Sequence, residues 1–448
     1  MSKKLDLSTV VKSVSSAAKS AGAQVASGAR KVTQRDTAPD AAERLGNELA
    51  RSTLDHCVKC TVCETNCPVS RVTPLFSGPK FVGPQGERFR HGDSVDHSVD
   101  YCSSCGTCTV VCPQGVNVAE INSLARAAMK QQNGMPIRDQ LISRTTIMGA
   151  AMTPVAPVAN AVLGFKPARV VMEKVVGVHR DAPMPTARPE TLATWLKKRP
   201  KPTKPATRGP IVYFHGCAGG YFEVETSKQT IEVLEHLGYE VLVPKQGCCG
   251  LAEQSNGLFE SAKKSVRSLV RALRTAGTDL TIISSSGSCT GMLKHEAHEI
   301  LGVDDSELAD VGTRIREFSE FLLDLYDAGE FPAEELRPLQ MTVPYHAPCQ
   351  LKSQGMGTPA ADLLRLIPGL TVVDSDAVCC GIAGTYGLKK EKYDIAQAVG
   401  KPLFDMVQAT NKDLAVCDTE TCRWQIQKGS GVPTVHPVTL LHRSLGLS

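Results

Sequence analysis

Two stretches of the chain repeat one spacing of cysteines, and this spacing is typical of iron–sulfur binding. Each stretch reads Cys-x-x-Cys-x-x-Cys-x-x-x-Cys-Pro. Three closely spaced thiolates can hold one cluster, while the fourth lies farther along the chain and crosses to a second cluster. The first ladder consists of Cys57, Cys60, Cys63 and Cys67, and the second ladder consists of Cys102, Cys105, Cys108 and Cys112.

The crossing of the fourth cysteine predicts how the eight ligands divide between two [4Fe–4S] clusters, as in two-cluster ferredoxins. Zinc also binds four thiolates, but its sites usually show two separated C-x-x-C pairs rather than three cysteines in series. The pattern therefore favours iron–sulfur clusters. The predicted ligands are Cys57, Cys60, Cys63 and Cys112 for cluster 1, and Cys102, Cys105, Cys108 and Cys67 for cluster 2.

The C-terminal half contains a second repeated pattern, in which a cysteine motif follows each of three predicted strands. The order in both copies is one cysteine, then Cys-Cys-Gly, then one cysteine. Strands that alternate with helical stretches predict α/β units with largely parallel sheets, whose functional residues lie just beyond the strands. The strands are predicted at 211–214, 239–243 and 280–283 in the first copy, and at 341–345, 370–373 and 414–416 in the second.

We predict that these cysteines converge on metal sites, because cysteines in separate loops meet only through folding. Buried cysteines are often simple hydrophobes, but the same order occurring twice argues against that interpretation. A cysteine nucleophile assisted by His215 or His346 lacks a nameable third group to orient it. These histidines are expected to pack or hydrogen-bond near the sites, or to move protons. The candidate ligands are Cys217, Cys248, Cys249 and Cys289 in the first copy, and Cys349, Cys379, Cys380 and Cys422 in the second.

At these residues the chain resembles the CCG-domain iron–sulfur oxidoreductases, which include heterodisulfide reductase subunits. With the two ladders in front, it is similar to the C subunits of anaerobic glycerol-3-phosphate dehydrogenases. The resemblance runs from about Leu54 to the C-terminus. Its closest local matches are residues 57–63, 67–72, 83–88, 379–387 and 418–424, together with His436-Pro437.

The resemblance implies a non-catalytic electron-transfer subunit of an oxidoreductase. Such a subunit accepts electrons from flavoprotein dehydrogenase subunits and passes them toward membrane quinone. The resemblance also implies a cytoplasmic protein held at the inner face of the cell membrane as a peripheral subunit.

Both copies depart from the fullest family pattern, in which the last motif is Cys-x-x-Cys. Ser286 and Thr419 stand where the first cysteine of that motif is expected. Cys417 is a further candidate ligand, because the alternation of a strand would point it to the same face as Thr419. Five-thiolate clusters are therefore in doubt, and four cysteines per copy suit one or two simpler iron–sulfur clusters, or zinc.

The order of these features predicts an α+β multidomain protein. A helical, ferredoxin-type module with two clusters is followed by two repeated α/β CCG domains. The predicted divisions are a basic arm at 1–40, the cluster module at 41–132, cysteine-free connecting helices and a proline-rich linker at 133–209, and CCG domains at 210–335 and 336–448. The arm is expected to be solvated and flexible, or to form a basic helix on a membrane or partner.

The connecting segment raises the question of membrane contact. No residue from Thr145 to Phe165 carries a charge, and that length is near the requirement for a membrane span. Pro154, Pro157 and Asn160 interrupt the run and disfavour a span. Helices that lie on a partner or on the lipid surface, and a plain bridge between domains, remain the two alternatives. The residues from 183 to 210 are rich in proline and predict a stiff, exposed linker.

Composition agrees with an intracellular redox protein. The chain has 17 cysteines, an odd number, and residues 1–31 show no continuous apolar segment of the kind that directs secretion. The net charge of +4 is small and gives no case for nucleic-acid binding. Without a nucleotide-binding G-x-G-x-x-G or an acid–base constellation, electron transfer is the favoured function. The alternatives are a reductase acting on a disulfide, an electron-transfer subunit of a lactate, glycolate or succinate dehydrogenase, and a zinc scaffold.

Overall fold

The computed structural model describes residues 53–89, 96–200 and 205–447. It contains a small helical module, a run of connecting helices and two α/β domains. The predicted combination of a helical module with two repeated α/β domains is confirmed. The arm predicted at 1–40 lies outside the described residues.

Short turns and one long helix form the N-terminal module. Its α-helices are α1 (Val62–Thr65), α2 (Gly86–Phe89), α3 (Thr107–Val110) and α4 (Val118–Asn133). Further helical turns lie at Leu54–His56, Phe81–Gln85 and His97–Tyr101. The cysteines of both ladders lie in and around α1 and α3, so that these short helices determine where the thiols point.

Helix α4 is the core of this module. The sequence predicts a helix at 118–129, and the structure extends it to Asn133, where Gly134 ends it with a left-handed φ of 77°. The sequence also suggests Asn117 as the N-cap of this helix, with Glu120 three residues on. Asn117 occupies the N-cap position, but its side chain makes no capping hydrogen bond. Glu120, expected to complete the cap, instead accepts a 2.6 Å hydrogen bond from the hydroxyl of Thr109. The helix is therefore anchored to α3 rather than capped in isolation.

Five helices form the connecting region. They are α5 (Ile137–Ser143), α6 (Thr145–Met152), α7 (Ala156–Gly164), α8 (Lys166–Val175) and α9 (Leu192–Lys198). A 3₁₀ turn at Thr153–Val155 joins α6 to α7. Among the described residues, Thr145–Gly164 is the one helical stretch whose length and composition would allow it to cross a membrane, and 11% of it is buried.

The outer side of this stretch is an apolar surface. We call the exposed side chains of Ile147, Val155, Val158, Val162 and Phe165 the apolar face. Ile147 lies on α6 and Val155 in the joining turn. Val158 and Val162, four residues apart, lie on one side of α7, and Phe165 follows that helix. The connecting region therefore exposes an uncharged, apolar surface.

The inner side of the same region is fastened to both α/β domains. Asp139 is fully buried and receives a 2.9 Å ion pair from Lys389 of the second domain. Helix α6 approaches the first domain so closely that a Cβ on Gly149 would lie 2.6 Å from the Tyr221 ring. The region therefore joins the two domains and also exposes a surface. Both alternatives from the sequence, a bridge between domains and helices that lie on a partner or on lipid, are compatible with it.

The first part of the proline-rich segment is packed rather than exposed. Pro183 and Pro185 are buried, and Leu192 at the start of α9 contacts the core of the first α/β domain beside Tyr213. The expectation of an exposed linker is therefore wrong at Pro183, Pro185 and Leu192, whereas Pro189, Pro200 and residues 205–208 are exposed. The expectation failed because a proline-rich composition indicates a stiff segment but does not show which single apolar residues pack against the rest of the protein.

The first α/β domain contains four strands and eight helices. Its strands are β1 (Pro210–Phe214), β2 (Glu240–Leu242), β3 (Ile282–Ser284) and β4 (Ile315–Glu317). Its helices are α10 (Gly216–Tyr221), α11 (Val224–His236), α12 (Leu251–Ser255), α13 (Phe259–Arg274), α14 (Gly287–Gly291), α15 (Ala297–Glu299), α16 (Ser306–Arg314) and α17 (Phe318–Asp327), with a π-helical turn at Met292–Glu296.

The second α/β domain repeats this plan. Its strands are β5 (Met341–His346), β6 (Leu370–Asp374), β7 (Ala415–Cys417) and β8 (Thr434–Val435). Its helices are α18 (Cys349–Lys352), α19 (Pro359–Arg365), α20 (Tyr393–Thr410), α21 (Glu420–Ser430) and α22 (Pro437–Ser444), and 3₁₀ turns lie at Ala333–Glu335 and Tyr386–Leu388.

The two sheets have the same topology. The strand orders are β2-β1-β3-β4 and β6-β5-β7-β8, and all pairings between these strands are parallel. The six predicted strands are present within two residues of their expected bounds. The sequence missed β4 and β8, because they are only three and two residues long.

The described parts share their cores. One hydrophobic cluster joins the N-terminal module to the first α/β domain, with Ile121 and Leu124 on one side and Val212 and Phe214 on the other. A second cluster joins the two α/β domains. The cysteine loops of all three parts are therefore held on a continuous packed interior.

Candidate metal centres

The Cys-Cys-Gly motif has the same local geometry in both α/β domains. Gly250 and Gly381 have left-handed φ values of 86° and 89°. A Cβ would lie 2.9 Å from the Ala262 carbonyl oxygen at Gly250 and 2.0 Å from the Ala396 carbonyl oxygen at Gly381. Glycine is therefore required at both turns, since a side chain would be strained in φ and would clash.

This turn also supplies a hydrogen bond to the first cysteine of each motif. The Gly250 amide donates to Cys248 Sγ at 3.4 Å, and the Gly381 amide donates to Cys379 Sγ at 3.3 Å. An amide that points at sulfur stabilises the thiolate form, which is the form that binds metals. The motif thus determines the path of the backbone and stabilises the thiolate form of its first cysteine.

Each vicinal pair divides between two partners. In the first domain, Cys248 Sγ lies 3.9 Å from Cys217 Sγ, and Cys249 Sγ lies 3.3 Å from Cys289 Sγ. Thr145 of the connecting region adds a hydroxyl 3.8 Å from Cys248 Sγ. The four candidate ligands of this domain are therefore brought together in two pairs.

The second domain repeats this pairing. The thiols of Cys349 and Cys379 interact as a hydrogen-bonded pair, and so do those of Cys380 and Cys422. Cys417, at the end of β7, also contacts Cys422. All four main candidates are brought together here, and the additional candidate Cys417 adjoins them.

The ladders of the N-terminal module bend through left-handed residues at equivalent positions. Lys59 and Thr61 lie between the cysteines of the first ladder with φ of 60° and 67°, and Ser104 and Gly106 occupy the same places in the second with 53° and 77°. Non-glycine residues adopt this conformation at a cost of about 1 kcal/mol or more. Such a strained wrap, repeated in both ladders, fits a backbone folded around a compact metal centre.

The structure brings the first set of predicted ligands together. Cys57, Cys60, Cys63 and Cys112 line one small cavity of about 20 Å³. Burial, the Glu64 carboxylate and the thiols of Cys112 and Cys57 raise the pKa of Cys63 to about 11. The fourth cysteine of the second ladder thus joins the first ladder, as the crossing arrangement requires.

The second set converges in the same crossed manner. Burial, followed by the neighbouring thiols of Cys105, Cys102 and Cys67, raises the pKa of Cys108 well above its ordinary value. Arg126, on α4, donates from Nη1 to the Cys102 carbonyl oxygen at 2.8 Å. These four thiols are protonated when free, so that metal binding would release protons.

The second ladder meets the second α/β domain directly. Cys105, Cys349 and Cys379 form one buried cluster of side chains. Burial and the Cys379 thiol raise the pKa of Cys105 to about 11. Two candidate metal centres that lie far apart in the sequence are therefore neighbours in the structure.

The donor sets consist of thiols, which are the ligands of iron–sulfur clusters and of thiolate zinc sites. Within the described residues, no group of three or more Cys, His, Asp or Glu side chains converges closely enough to hold one ion. The thiols lie in pairs instead, and the paired sulfur atoms of the first CCG domain are 3.9 and 3.3 Å apart.

The two histidines near these loops are neutral. Burial lowers the pKa of His215 to about 4 and that of His346 to about 3. His215 Nδ1 lies 2.6 Å from the Gly216 carbonyl oxygen, and His346 Nδ1 lies 3.3 Å from Ser375 Oγ. The packing and hydrogen-bonding role expected for them is supported, and a charged imidazolium is disfavoured.

Hydroxyl groups occupy the two positions that depart from the family pattern, and they bond across the domain interface. Ser286 Oγ donates to Glu420 Oε2 at 3.4 Å. Thr419 Oγ1 lies 3.4 Å from Ser288 Oγ of the first domain. These positions therefore join the two domains to each other.

A central cavity of about 440 Å³ lies between all three parts. The cysteines on its walls are Cys105 of the second ladder, Cys217, Cys248, Cys249 and Cys289 of the first α/β domain, and Cys349, Cys380 and Cys422 of the second. Its volume falls within the range of small-molecule sites, roughly 300–1,000 Å³. Both candidate CCG centres thus border one chamber.

Several polar residues around these centres were not singled out for this role from the sequence. Arg126 and Lys392 place ionisable groups deep within the protein, Glu296 lies on the wall of the central cavity, and Thr145 reaches the first CCG loop. Arg126 offered a signal, because it lies among alanines in a predicted helix, and a charged residue on a buried helix face needs a partner. The others become recognisable only when separate segments meet.

Comparison with known proteins agrees with this arrangement. A family model described as a 4Fe-4S dicluster domain matches residues 53–116, and one described as a cysteine-rich domain matches residues 211–294 and 343–427. The chain therefore contains iron–sulfur-binding domains at the two ladders.

Curated relatives cover most of the chain. The C subunit of the anaerobic glycerol-3-phosphate dehydrogenase of Escherichia coli K12 is 36% identical, over 88% of this chain and 99% of that protein. The D subunit of the dihydromethanophenazine:CoB–CoM heterodisulfide reductase of Methanosarcina barkeri is 25% identical, over 88% and 95%. The glycolate oxidase iron-sulfur subunit of Escherichia coli K12 is 24% identical, also over 88% and 95%.

Proposed function

The chain belongs to the family formed by the C subunits of anaerobic glycerol-3-phosphate dehydrogenases, and from that premise we propose that it carries electrons from flavoprotein subunits toward membrane quinone. The resemblance predicted from the motifs is confirmed. Its relatives are iron–sulfur subunits of dehydrogenases and reductases, and the substrate, the flavoprotein partners and the quinone belong to the proposal.

The contact of Cys105 with Cys349 and Cys379 carries this proposal. Bound iron–sulfur clusters supply one-electron transfer, and their potentials depend on nearby charge, hydrogen bonds and solvent exposure. The thiols of the second ladder and of the second CCG domain lie in one cluster of side chains, so that centres held by these residues would be neighbours. We expect two [4Fe–4S] clusters in the ladders and one or two further iron–sulfur centres in the CCG domains.

The first ladder is the proposed entry side. Cys60 is exposed, whereas Cys102, Cys105 and Cys108 are buried. Val58, between Cys57 and Cys60, is 63% exposed. A partner that covers Val58 and Cys60 would bring its flavin close to the first centre. Electrons would then pass inward to the second ladder and on to the CCG loops.

The apolar face is the proposed membrane contact. Its five side chains lie outward on helices whose inner side is fixed to both α/β domains. Uncharged helices that are interrupted by proline can lie in the interface between headgroups and acyl chains without spanning the bilayer. The protein would therefore associate as a peripheral subunit with the cytoplasmic side of the membrane.

A reductase that acts on a disulfide is the second candidate function, because the central cavity borders both CCG sets. Ser286 and Thr419 weigh against it, since they replace the cysteines that would complete five-thiolate clusters, and both are engaged in interdomain hydrogen bonds. Electron transfer to an external acceptor requires no fifth thiolate.

Reconstitution with the partner subunits tests the proposal. The chain, purified without oxygen, should not oxidise glycerol 3-phosphate alone. After addition of the flavoprotein subunits and glycerol 3-phosphate, its iron–sulfur centres should become reduced, as followed by electron paramagnetic resonance. Failure of any centre to be reduced in a complete, stable complex would contradict the proposed function.

A further inference from the structure

Helix α8 carries its charged and apolar residues on the sides opposite to those usual for a surface helix. Its two buried side chains, Arg169 and Glu173, are both charged. Val171 and Val175 are instead 59% and 78% exposed. A helix on the surface of a soluble protein turns its charged side to water and its apolar side to the core. The exposed side of α8 is therefore suited to a medium less polar than water.

Hydrogen bonds and an ion pair hold the two charged residues of α8 inward. Arg169 donates from Nε to the Arg180 carbonyl oxygen at 2.8 Å and from Nη2 to the Ala182 carbonyl oxygen at 2.6 Å. Glu173 forms an ion pair with the Arg180 side chain. These bonds tie the inner side of the helix to the loop that follows it. The helix would have to break them to turn its valines inward.

The exposed valines of α8 enlarge the apolar face. Helix α7, which carries Val158 and Val162, packs against α8. Phe165 of the apolar face lies between the two helices and is 60% exposed. The outward apolar surface therefore spans both helices rather than one.

The charges that this surface presents are positive. Within residues 141–178, the exposed charged side chains are Lys166 and Lys174, and neither forms an ion pair with a described residue. The one acidic residue of this range, Glu173, is buried. The next exposed carboxylate along the chain is that of Asp181, in the loop that the inner side of α8 contacts. The outer side thus combines exposed valines with unpaired ammonium groups.

We propose that α7 and α8 lie on anionic phospholipid, with the exposed valines among the acyl chains and Lys166 and Lys174 at the phosphate groups. The inference rests on the membrane contact of the proposed function and adds the class of lipid. The long stem of a lysine can follow apolar surface while its ammonium group reaches the headgroups. Each lysine near an anionic bilayer strengthens binding roughly fivefold.

The composition of this surface favours lipid over a protein partner. Protein interfaces are enriched in Tyr, Trp and Arg and depleted in Lys, and Val seldom contributes strongly to their affinity. The exposed side of α8 instead consists of valines flanked by lysines. Helices that lie in a lipid interface combine an apolar side with lysines in this way.

Sedimentation with vesicles tests the class of lipid. The full chain, with its iron–sulfur centres loaded, would be mixed with vesicles of phosphatidylcholine alone or of phosphatidylcholine containing one third phosphatidylglycerol. We expect binding to the anionic vesicles to be at least about tenfold tighter at low salt, since two lysines contribute roughly fivefold each. Most of this preference should disappear at about 1 M salt, where charges are screened within about 3 Å. Equal affinity for both vesicles at low salt would overturn the inference.

A double substitution with a matched control locates the preference on this surface. Lys166→Gln with Lys174→Gln should remove most of the preference for anionic vesicles and keep the binding to neutral ones. Lys412→Gln with Lys428→Gln changes the net charge equally through two exposed lysines of the second α/β domain, and it should keep the preference. A preference that survives in the first variant, or that falls equally in both, would overturn the inference.

A second pair of substitutions tests the apolar part of the surface. Val171→Ser with Val175→Ser should weaken binding to both kinds of vesicle and leave the iron content unchanged, because both side chains are exposed. If this variant bound vesicles like the wild type but lost the flavoprotein subunits in the absence of lipid, the surface would belong to a protein partner, and the inference would be wrong.

The failures of the two proposals are distinguishable. If the wild-type chain binds neutral and anionic vesicles equally, only the lipid class is wrong, and the membrane contact of the proposed function stands. If it binds neither kind of vesicle, that membrane contact is wrong as well. Reduction of the iron–sulfur centres by the partner subunits is measured separately and tests electron transfer in either case.

Discussion

Arg126 donates from Nη1 to the backbone carbonyl oxygen of Cys102 across 2.8 Å, and it thereby places a buried positive charge beside the second ladder. Lys392 adds another buried cation, paired at 2.9 Å with Asp100 just before Cys102. The first ladder has its charged neighbours nearer to solvent, where Lys80 pairs with Glu64 at 3.2 Å. The two ladders therefore lie in different electrostatic surroundings.

Replacement of Arg126 by glutamine should lower the reduction potential of the centre on the second ladder. A nearby cation stabilises the reduced, more negative form of a cluster, so that its loss favours the oxidised form. We expect a fall of roughly 40 mV, which corresponds to about 1 kcal/mol for a one-electron couple. Redox titration followed by electron paramagnetic resonance would measure it. Arg126→Lys keeps the charge and should retain most of the potential; an equal fall in both variants would indicate altered packing instead.

Replacement of Cys63 by serine should remove the centre on the first ladder and destabilise the N-terminal module. Its four predicted ligands line one small cavity on loops whose φ values are strained, and metal binding to such loops is coupled to folding. Iron and sulfide content and the loss of one spectroscopic signal would measure the change. Thr65→Ala, on an exposed residue of the same helix, should leave the iron content unchanged. Full folding of the wild-type chain with zinc and without iron would contradict the assignment.

Replacement of Cys379 and Cys380 by alanine should lower the iron content below that of the wild type while the two ladder centres remain. Val407→Ala is a matched control, because Val407 is a buried side chain of the same domain that carries no thiol. We expect this control to keep most of its iron. An unchanged metal content in the double variant would mean that these cysteines are only packed side chains.

The order of elements was predictable from the sequence because both repeats rest on local signals. The strands at Ile211 and Met341 are apolar runs, and each is followed by a cysteine after a short turn. The helix predicted from Val118 also rests on a local pattern of residues in the sequence. Spacing alone also indicated that Cys112 joins the first ladder, because three thiolates at two-residue gaps leave a fourth to be supplied from elsewhere.

The relations between segments were not predictable in this way. The contact between Cys105 and Cys379 joins residues far apart in the chain, and no local pattern encodes it. Glu120 looked like part of a helix cap, whereas its carboxylate bonds to Thr109 and faces the central cavity. Leu192 packs beneath a segment whose prolines suggested exposure. In each case long-range packing decides the environment of a residue whose local sequence is ambiguous.

Introduction of two charges into the apolar face should release the complex from membranes. Val158 and Val162 are 46% and 52% exposed and one helical turn apart. Because burying a carboxylate in the lipid interface is costly, Val158→Glu with Val162→Glu should move the protein to the soluble fraction while reduction of a soluble dye continues. Point substitutions are preferable to deletion of residues 141–178, since Ser143 and Arg169 in that segment are buried and hydrogen-bonded to the rest of the protein.

The control for the membrane experiment is Tyr326→Glu. Tyr326 is 40% exposed on α17, outside the connecting region, and this variant should stay with the membrane fraction. Equal loss of quinone and dye reduction in the double glutamate variant would show that the apolar face supports the fold rather than membrane binding.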